Sequence, residues 1–337
     1  MNLSTNKKIF IKRTGNNVIR GSSFLLVVLA LLPLCALCAQ DMTQETTEQK
    51  IATLEAAIKK TSSENQNNPV RGEMRIKSGI MIDKAESLIK KTNGTTVHSL
   101  DLDEIAPFIA FEGELLVHNF RFTLDVLSVI PVRVGEIKEE SADVSDNKDY
   151  HTAESTIDSH YKAGGSIGYR FDIGSLDIVP YAGFSYRYRK WSAENGSSGK
   201  KDFSGTLLSF SESTWYPSAG ADIRYKLQGG FAFRLTGSVY PYIDVSSREN
   251  RAYYDDQFFG RNKGGIGGDV LLSVEYRKTE SPFAAMISVG YEGMTCASGE
   301  LSWGRIGYDV PFTKDEAFST HFSSNIISAS LLVSFRL

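Results

Sequence analysis

Cysteine and histidine are both scarce in this 337-residue chain, with three of the first and five of the second. Cys35 and Cys38 fall in an N-terminal segment with the marks of export, so the exported chain keeps Cys296 alone and can form no internal disulfide. Long hydrophobic runs are missing as well. Beyond Leu34 nothing approaches the roughly eighteen apolar residues that a spanning helix needs. The mean hydropathy of −0.21 is that of a water-soluble chain, but a β-barrel hides its hydrophobicity in alternate positions, so that average leaves a barrel open. Nor is there an excess of positive charge. The formal net charge is −3, and loss of the leader, which carries five cations and no carboxylate, takes it to about −8 and disfavours nucleic acid as a partner.

Five cations, Lys7, Lys8, Lys12, Arg13 and Arg20, precede an apolar run from Phe24 to Leu34, and small residues follow at Ala36 and Ala39. That order is a secretory signal peptide over residues 1–39, cleaved between Cys38 and Gln40. A lipid-attachment cysteine is the alternative, but the residues before Cys35 and Cys38 make a poor lipobox. Residues 40–71 form a polar periplasmic leader. Within it, Gln44 to Lys60 has strong helix formers with Ile51, Leu54 and Ile58 on one face, so a short helix and a disordered tail both stay open.

The rest of the chain, 72–337, alternates. From Ser323 to the terminus, Ile327, Ala329, Leu331, Val333, Phe335 and Leu337 share one face, while Ser328, Ser330, Ser334 and Arg336 share the other with Leu332. Successive strand side chains point to opposite faces, so this segment is apolar outward and mostly polar inward. Ten strands are expected, at roughly 72–83, 105–117, 119–132, 159–172, 176–192, 203–227, 230–246, 264–278, 282–300 and 317–337. Their connections alternate between tight turns, as at His118 or Gly229, and long polar loops at 84–104, 133–158, 193–202, 247–263 and 301–316. Short turns on one side and long loops on the other are the habit of an outer-membrane barrel. The expected fold is all-β: a ten-stranded antiparallel transmembrane β-barrel with long extracellular loops and short periplasmic turns. Charges of both signs fall on inward phases, among them Glu112, Arg121, Arg187, Arg189, Asp222 and Arg234, and their pairing should fill the lumen.

Several stretches resemble the omptins, outer-membrane proteases of Gram-negative bacteria: residues 93–126, residues 160–172 (HYKAGGSIGYRFD), and residues 216–247, from Tyr216-Pro217-Ser218 to Val245-Ser246-Ser247. The resemblance implies the ten-stranded barrel. It also implies water-mediated peptide hydrolysis, with an Asp-x-His element where the seventh strand enters the fourth loop and paired aspartates in the second loop, and it implies a lipopolysaccharide requirement. Here the chain departs. Asn250 and Ala252 stand where the aspartate and histidine belong, and this pair cannot take a proton from water. The second loop offers Asp143, Asp146 and Asp149 at a spacing of three. Two Asp-x-His elements, Asp149 with His151 and Asp158 with His160, are candidates for a relocated base facing Asp255, Asp256 or Glu249 across the mouth.

No metal and no cofactor are expected, apart from lipopolysaccharide or another outer-leaflet lipid. Gly264 to Gly268 lacks the following helix of a phosphate cradle, and Asp255-Asp256 with Asp244 and Glu249 lacks calcium-loop spacing. Expected partners are outer-membrane lipid, the barrel-assembly machinery through the C-terminal strand, and a peptide or protein at the extracellular mouth. The functional readings are a surface barrel that binds host or environmental protein through its loops, an endopeptidase with a rearranged second-loop site, and a small pore.

Overall fold

A computed structural model describes residues 70–132, 135–141, 149–198, 201–202, 205–252, 255–278, 281–306 and 313–337. The signal segment and residues 40–69 of the leader lie outside the described residues. The described chain is almost wholly β-structure, in thirteen strand segments: β1 Val70–Lys91, β2 Thr96–Val117, β3 Phe120–Val129, β4 Gly135–Ser141, β5 Asp149–Tyr169, β6 Phe171–Ile173, β7 Leu176–Ser198, β8 Lys201–Asp202, β9 Thr206–Lys226, β10 Phe231–Arg251, β11 Asp256–Tyr276, β12 Phe283–Arg305 and β13 Thr313–Arg336.

All pairings are antiparallel. β1 lies between β2 and β13, and the ladder runs on from β13 through β12, β11, β10 and β9 to β7 and β5. β3 and β4 each pair with both β2 and β5, at successive registers. β6 and β8 are short pieces on the two ends of β7. The sheet is therefore barrel-like, as in proteins that span a membrane with strands. The end where β1 starts and β13 stops is called the base, and the opposite end the mouth.

Phase follows the expected alternation near the base. Met74, Ile76, Ile80, Ile109, Phe111, Leu124, Phe184, Phe233, Ile287, Leu331 and Val333 all point outward and are exposed, while Arg75, Arg121, Asp222, Ser330 and Ser334 point inward and are buried. Aromatic side chains gather at the edges of this outward band, as in the Tyr186–Trp215 pair (centroids 4.3 Å apart), Phe231–Tyr276 and Phe283–Phe335. Gly229 and Gly230 make the β9–β10 turn with φ of 78° and 87°. A Cβ at Gly230 would also meet the Arg277 carbonyl at 2.2 Å, so this turn needs glycine.

Four expectations need correction. Val70 and Arg71, assigned to the leader, open β1. The polar stretches 84–104 and 247–263 are mostly strand, since β1 runs to Lys91, β2 starts at Thr96, β10 ends at Arg251 and β11 starts at Asp256. Much of 193–202 and 301–316 is strand too. The physical reason is that a strand rising beyond hydrocarbon has polar residues on its outer face, and in sequence this reads as a loop. Strands of 21 to 24 residues rise about 50 Å at 3.3 Å per residue and a 45° tilt, about twice an apolar band of ~25 Å. The fourth correction concerns the interior near the mouth, which was expected to be polar. It is apolar: Leu100, Trp191, Leu208, Phe210, Ile243, Val245 and Phe322 form one buried cluster.

Leu331 is 63% exposed in the middle of the outward band. If that band meets lipid, Leu331→Arg should destabilise the barrel folded in lipid vesicles by about 2–4 kcal/mol, measured by urea titration. A change under about 0.5 kcal/mol, usual for a water-exposed site, would mean that this face is not in hydrocarbon.

Candidate functional site

Inward side chains of the lower and middle barrel form a layered ion-pair network. Near the base, Arg75 bonds Glu112 and Glu114, and Arg121 and Arg234 share the Asp222 carboxylate. Higher up, the Arg189 guanidinium donates to Asp83 at 2.7 Å and to Glu212 at 2.6 Å, Arg187 donates to Glu292 at 2.8 Å, and Lys162 reaches the same Glu292 at 2.6 Å. β7 does not pair with β1, nor β5 with β12, so Arg189–Asp83 and Lys162–Glu292 cross the interior. The interior keeps cavities of about 530 Å³ beside Val70 and Leu337 at the base and about 270 Å³ at mid-height around Lys77, Asp125 and Lys162. Above them lies the apolar cluster around Trp191 and Phe210.

The predicted site residues are only partly among the described ones. Asp143 and Asp146 lie outside the described residues. Asp149 and His151 are in the first turns of β5, with their backbones paired to Ser141 and Glu139 of β4. Asp158 and His160 part company at a register shift between Ile157 and Ser159. This bulge sends Asp158 to Lys190 and to the Ser192 hydroxyl (2.8 Å), while His160 turns inward, buried, with Nδ1 3.6 Å from Asp83. Asp255 occupies the β10–β11 turn at φ 57°, and Asp256 opens β11.

A different group converges at the mouth. His98 of β2, Glu139 of β4, and Glu249 and Arg251 of β10 are all buried. His98 Nε2 stands 3.1 and 3.2 Å from the two Glu249 oxygens, its Nδ1 faces Glu139 Oε1 at 3.7 Å, and the Arg251 guanidinium forms an ion pair with that same oxygen at 2.9 Å. Phe258 stacks 6.0 Å from the His98 ring and also lies under Arg251. The outward apolar band on β2 spans Ile105 to Leu115, so His98 stands beyond it. Burial draws the His98 imidazole down, but the Glu249 and Glu139 carboxylates outweigh burial and opposing Arg251, and its pKa is raised. Burial would raise the Glu249 carboxyl in turn, yet His98 and Arg251 hold it below its usual value.

A register shift in β10 builds this cluster. The β10 ladder shifts register between Tyr240 and Asp244. Below the shift even-numbered residues such as Ala232 and Tyr240 point inward; above it odd-numbered ones do, from Ile243 to Arg251. Asn250 therefore turns away from the interior and bonds Ser209 and Gln257. The inward positions beside Asn250 and Ala252 are Glu249 and Arg251. His98 was missed in the sequence because residues 84–104 read as a loop; its phase with Leu100 and Leu102 was the available signal.

No protein-family model and no curated protein matches the chain. Among solved structures it is similar to the outer membrane protease OmpT from Escherichia coli, at 14% identity over 80% of this chain and 98% of that one, with a TM-score of 0.67. Neisserial surface protein A matches at 13% identity over 77% and 96%, and OprG from Pseudomonas aeruginosa at 12% over 78% and 96%, with TM-scores of 0.26 and 0.31 that carry no argument. At these identities the likeness speaks to fold alone.

Glu212 is the hub that Arg187 and Arg189 share, and it also accepts from the Thr214 hydroxyl. Glu212→Gln leaves two buried guanidiniums short of a counter-charge and should cost about 3–5 kcal/mol, seen as a lower urea midpoint at unchanged slope. A loss below about 1 kcal/mol would mean that water reaches and solvates both arginines. The chain shares its fold with an outer-membrane β-barrel protein of known structure.

Proposed function

We propose that the thirteen strand segments act as ten walls of a closed barrel integral to the outer membrane, and that the protein works at the cell surface by binding a host or environmental protein through its mouth. The outward apolar band with aromatic edges and the N-terminal export signal support the location. The observation that carries the functional part is the crowded interior. Ion pairs cross it at mid-height and an apolar cluster fills it above, which argues against conduction. Among the described residues, the contacts of His98 with Glu249 and Glu139 and of His160 with Asp83 are buried, which argues against an exposed proton-transfer pair there. What then faces outward at the mouth is a rim of strand ends, with Trp303 exposed among charged residues such as Lys314 and Glu300.

Endopeptidase action is the second reading. It is favoured by the likeness to OmpT and by the His98–Glu249 pair at the mouth, where a base oriented by a carboxylate is what water activation needs. Lipopolysaccharide or another outer-leaflet lipid belongs to this reading as an activator, and Asp149 and His151 remain its other candidates.

The barrel refolded in detergent with lipopolysaccharide should bind one or more members of an immobilised panel of extracellular-matrix proteins, leave a fluorogenic peptide library uncut, and show no unitary steps in planar bilayers. Cleavage that is lost in His98→Ala or in His151→Ala would put the endopeptidase in place of the binding protein. Regular conductance steps would instead revive the pore.

A further inference from the structure

The cluster at the mouth holds more ligand chemistry than an ion pair uses. His98, Glu139 and Glu249 come from three strands, and one donor atom of each lies within 4.8 Å of the others. Glu249 stands across from the β2–β4 edge, since β10 pairs with β9 and β11 only. The spacing is loose for hydrogen bonding. Charge-assisted N–H···O contacts close to about 2.7–2.9 Å, whereas His98 Nε2 is 3.1 Å from Glu249, and His98 Nδ1 is 3.7 Å from Glu139, beyond a hydrogen bond. One ion takes a single ring nitrogen of His98; with one donor atom from each residue the three lie within 4.8 Å of one another, and side-chain rotation must close them to the about 3.4 Å that separates two donors each about 2.1 Å from a tetrahedral Zn²⁺.

A second observation points the same way. His98 is 5% exposed, and its Nδ1 has no hydrogen-bond partner. A buried ring nitrogen left so is costly, and this one is aimed at the Glu139 carboxylate. Arg251, on the Glu139 oxygen at 2.9 Å, sets the orientation of that carboxylate as outer partners of metal ligands commonly do. Phe258, stacked on the His98 ring, links the group to an apolar cluster of Ile89, Val97, Leu301 and Phe318.

We propose that His98, Glu139 and Glu249 bind one divalent transition-metal ion of the Zn²⁺ class, which ties the β2–β4 edge to β10 across the mouth. Mixed imidazole and carboxylate donors suit Zn²⁺ better than Ca²⁺ or Mg²⁺, which prefer all-oxygen shells. The competing arrangement is a protonated His98 held between two carboxylates with Arg251 as the second cation. The metal proposal is independent of whether the mouth binds or cleaves.

Co²⁺ distinguishes the two arrangements, because its visible d–d absorption reports ligation directly. The untagged full chain, refolded and stripped with EDTA, is titrated with Co²⁺ and then with Zn²⁺. Absorption should saturate at one equivalent and be abolished by one equivalent of Zn²⁺. His98→Asn, Glu139→Gln and Glu249→Gln should each weaken Co²⁺ binding at least tenfold, and His118→Asn, in a turn at the base, should not. Heat-modifiable gel mobility confirms that each variant is folded; the three substitutions are near-isosteric, so one folded member of the set suffices. No saturable absorption in the folded parent, or equal binding in parent and folded variants, overturns the proposal.

Discussion

A backbone that passes through hydrocarbon must satisfy every N–H and C=O within the sheet, because lipid offers no partner. The paired sheet of this structure is consistent with that constraint. Such a constraint demands strands paired on both edges, and β1 has β2 on one side and β13 on the other. Once strands are paired this way, side chains are divided with a period of two between an outer face that suits lipid and an inner face that must pack against the opposite wall. The outward leucines and phenylalanines and the inward arginines and carboxylates are two consequences of one geometry.

The inner face solves its packing problem in two ways at two heights. At the level of the outward apolar band the interior is lined by charges, and guanidiniums bridge carboxylates from different strands, as Arg187 does between Glu212 of β9 and Glu292 of β12. Such pairs are costly to break and weak as net stabilisers, because desolvation cancels much of the attraction. Their value here is in register: Arg189 reaches Asp83 only if β7 and β1 stand at the right relative height. Beyond the band, where the strands project, the interior switches to an apolar core of the kind soluble proteins have, with Trp191 and Phe210 at 5.6 Å. The inversion makes sense physically. A projecting barrel is surrounded by water, so hydrophobic burial again becomes available as a driving force.

Bulges carry the change of phase between these regions. One in β10, after Tyr240, and one in β5, after Ile157, each move the inward set by one residue. Without the first, Asn250 would face the interior in place of Glu249. Without the second, Asp158 and His160 would share a face, as their spacing of two suggests. The first bulge thus turns Asn250 away from the interior and lets Glu249 and Arg251 face it at the mouth.

The sequence by itself determined the strand class, the inward and outward faces near the base, the tight turns and the charged inner layer, because alternation and turn chemistry are local. Leu331, Ser330, Arg187 and Asp222 all lie where periodicity puts them. It left three things to the tertiary structure. How far the strands continue was hidden, since strand outside lipid reads as polar loop from 84 to 104. The phase above each bulge was hidden, because one inserted residue in a ladder leaves no compositional mark. The meeting of His98 with Glu139 and Glu249 was hidden most completely: 41 and 151 positions separate His98 from these two carboxylates along the chain, and only the curvature of the sheet brings β10 across to β2 and β4.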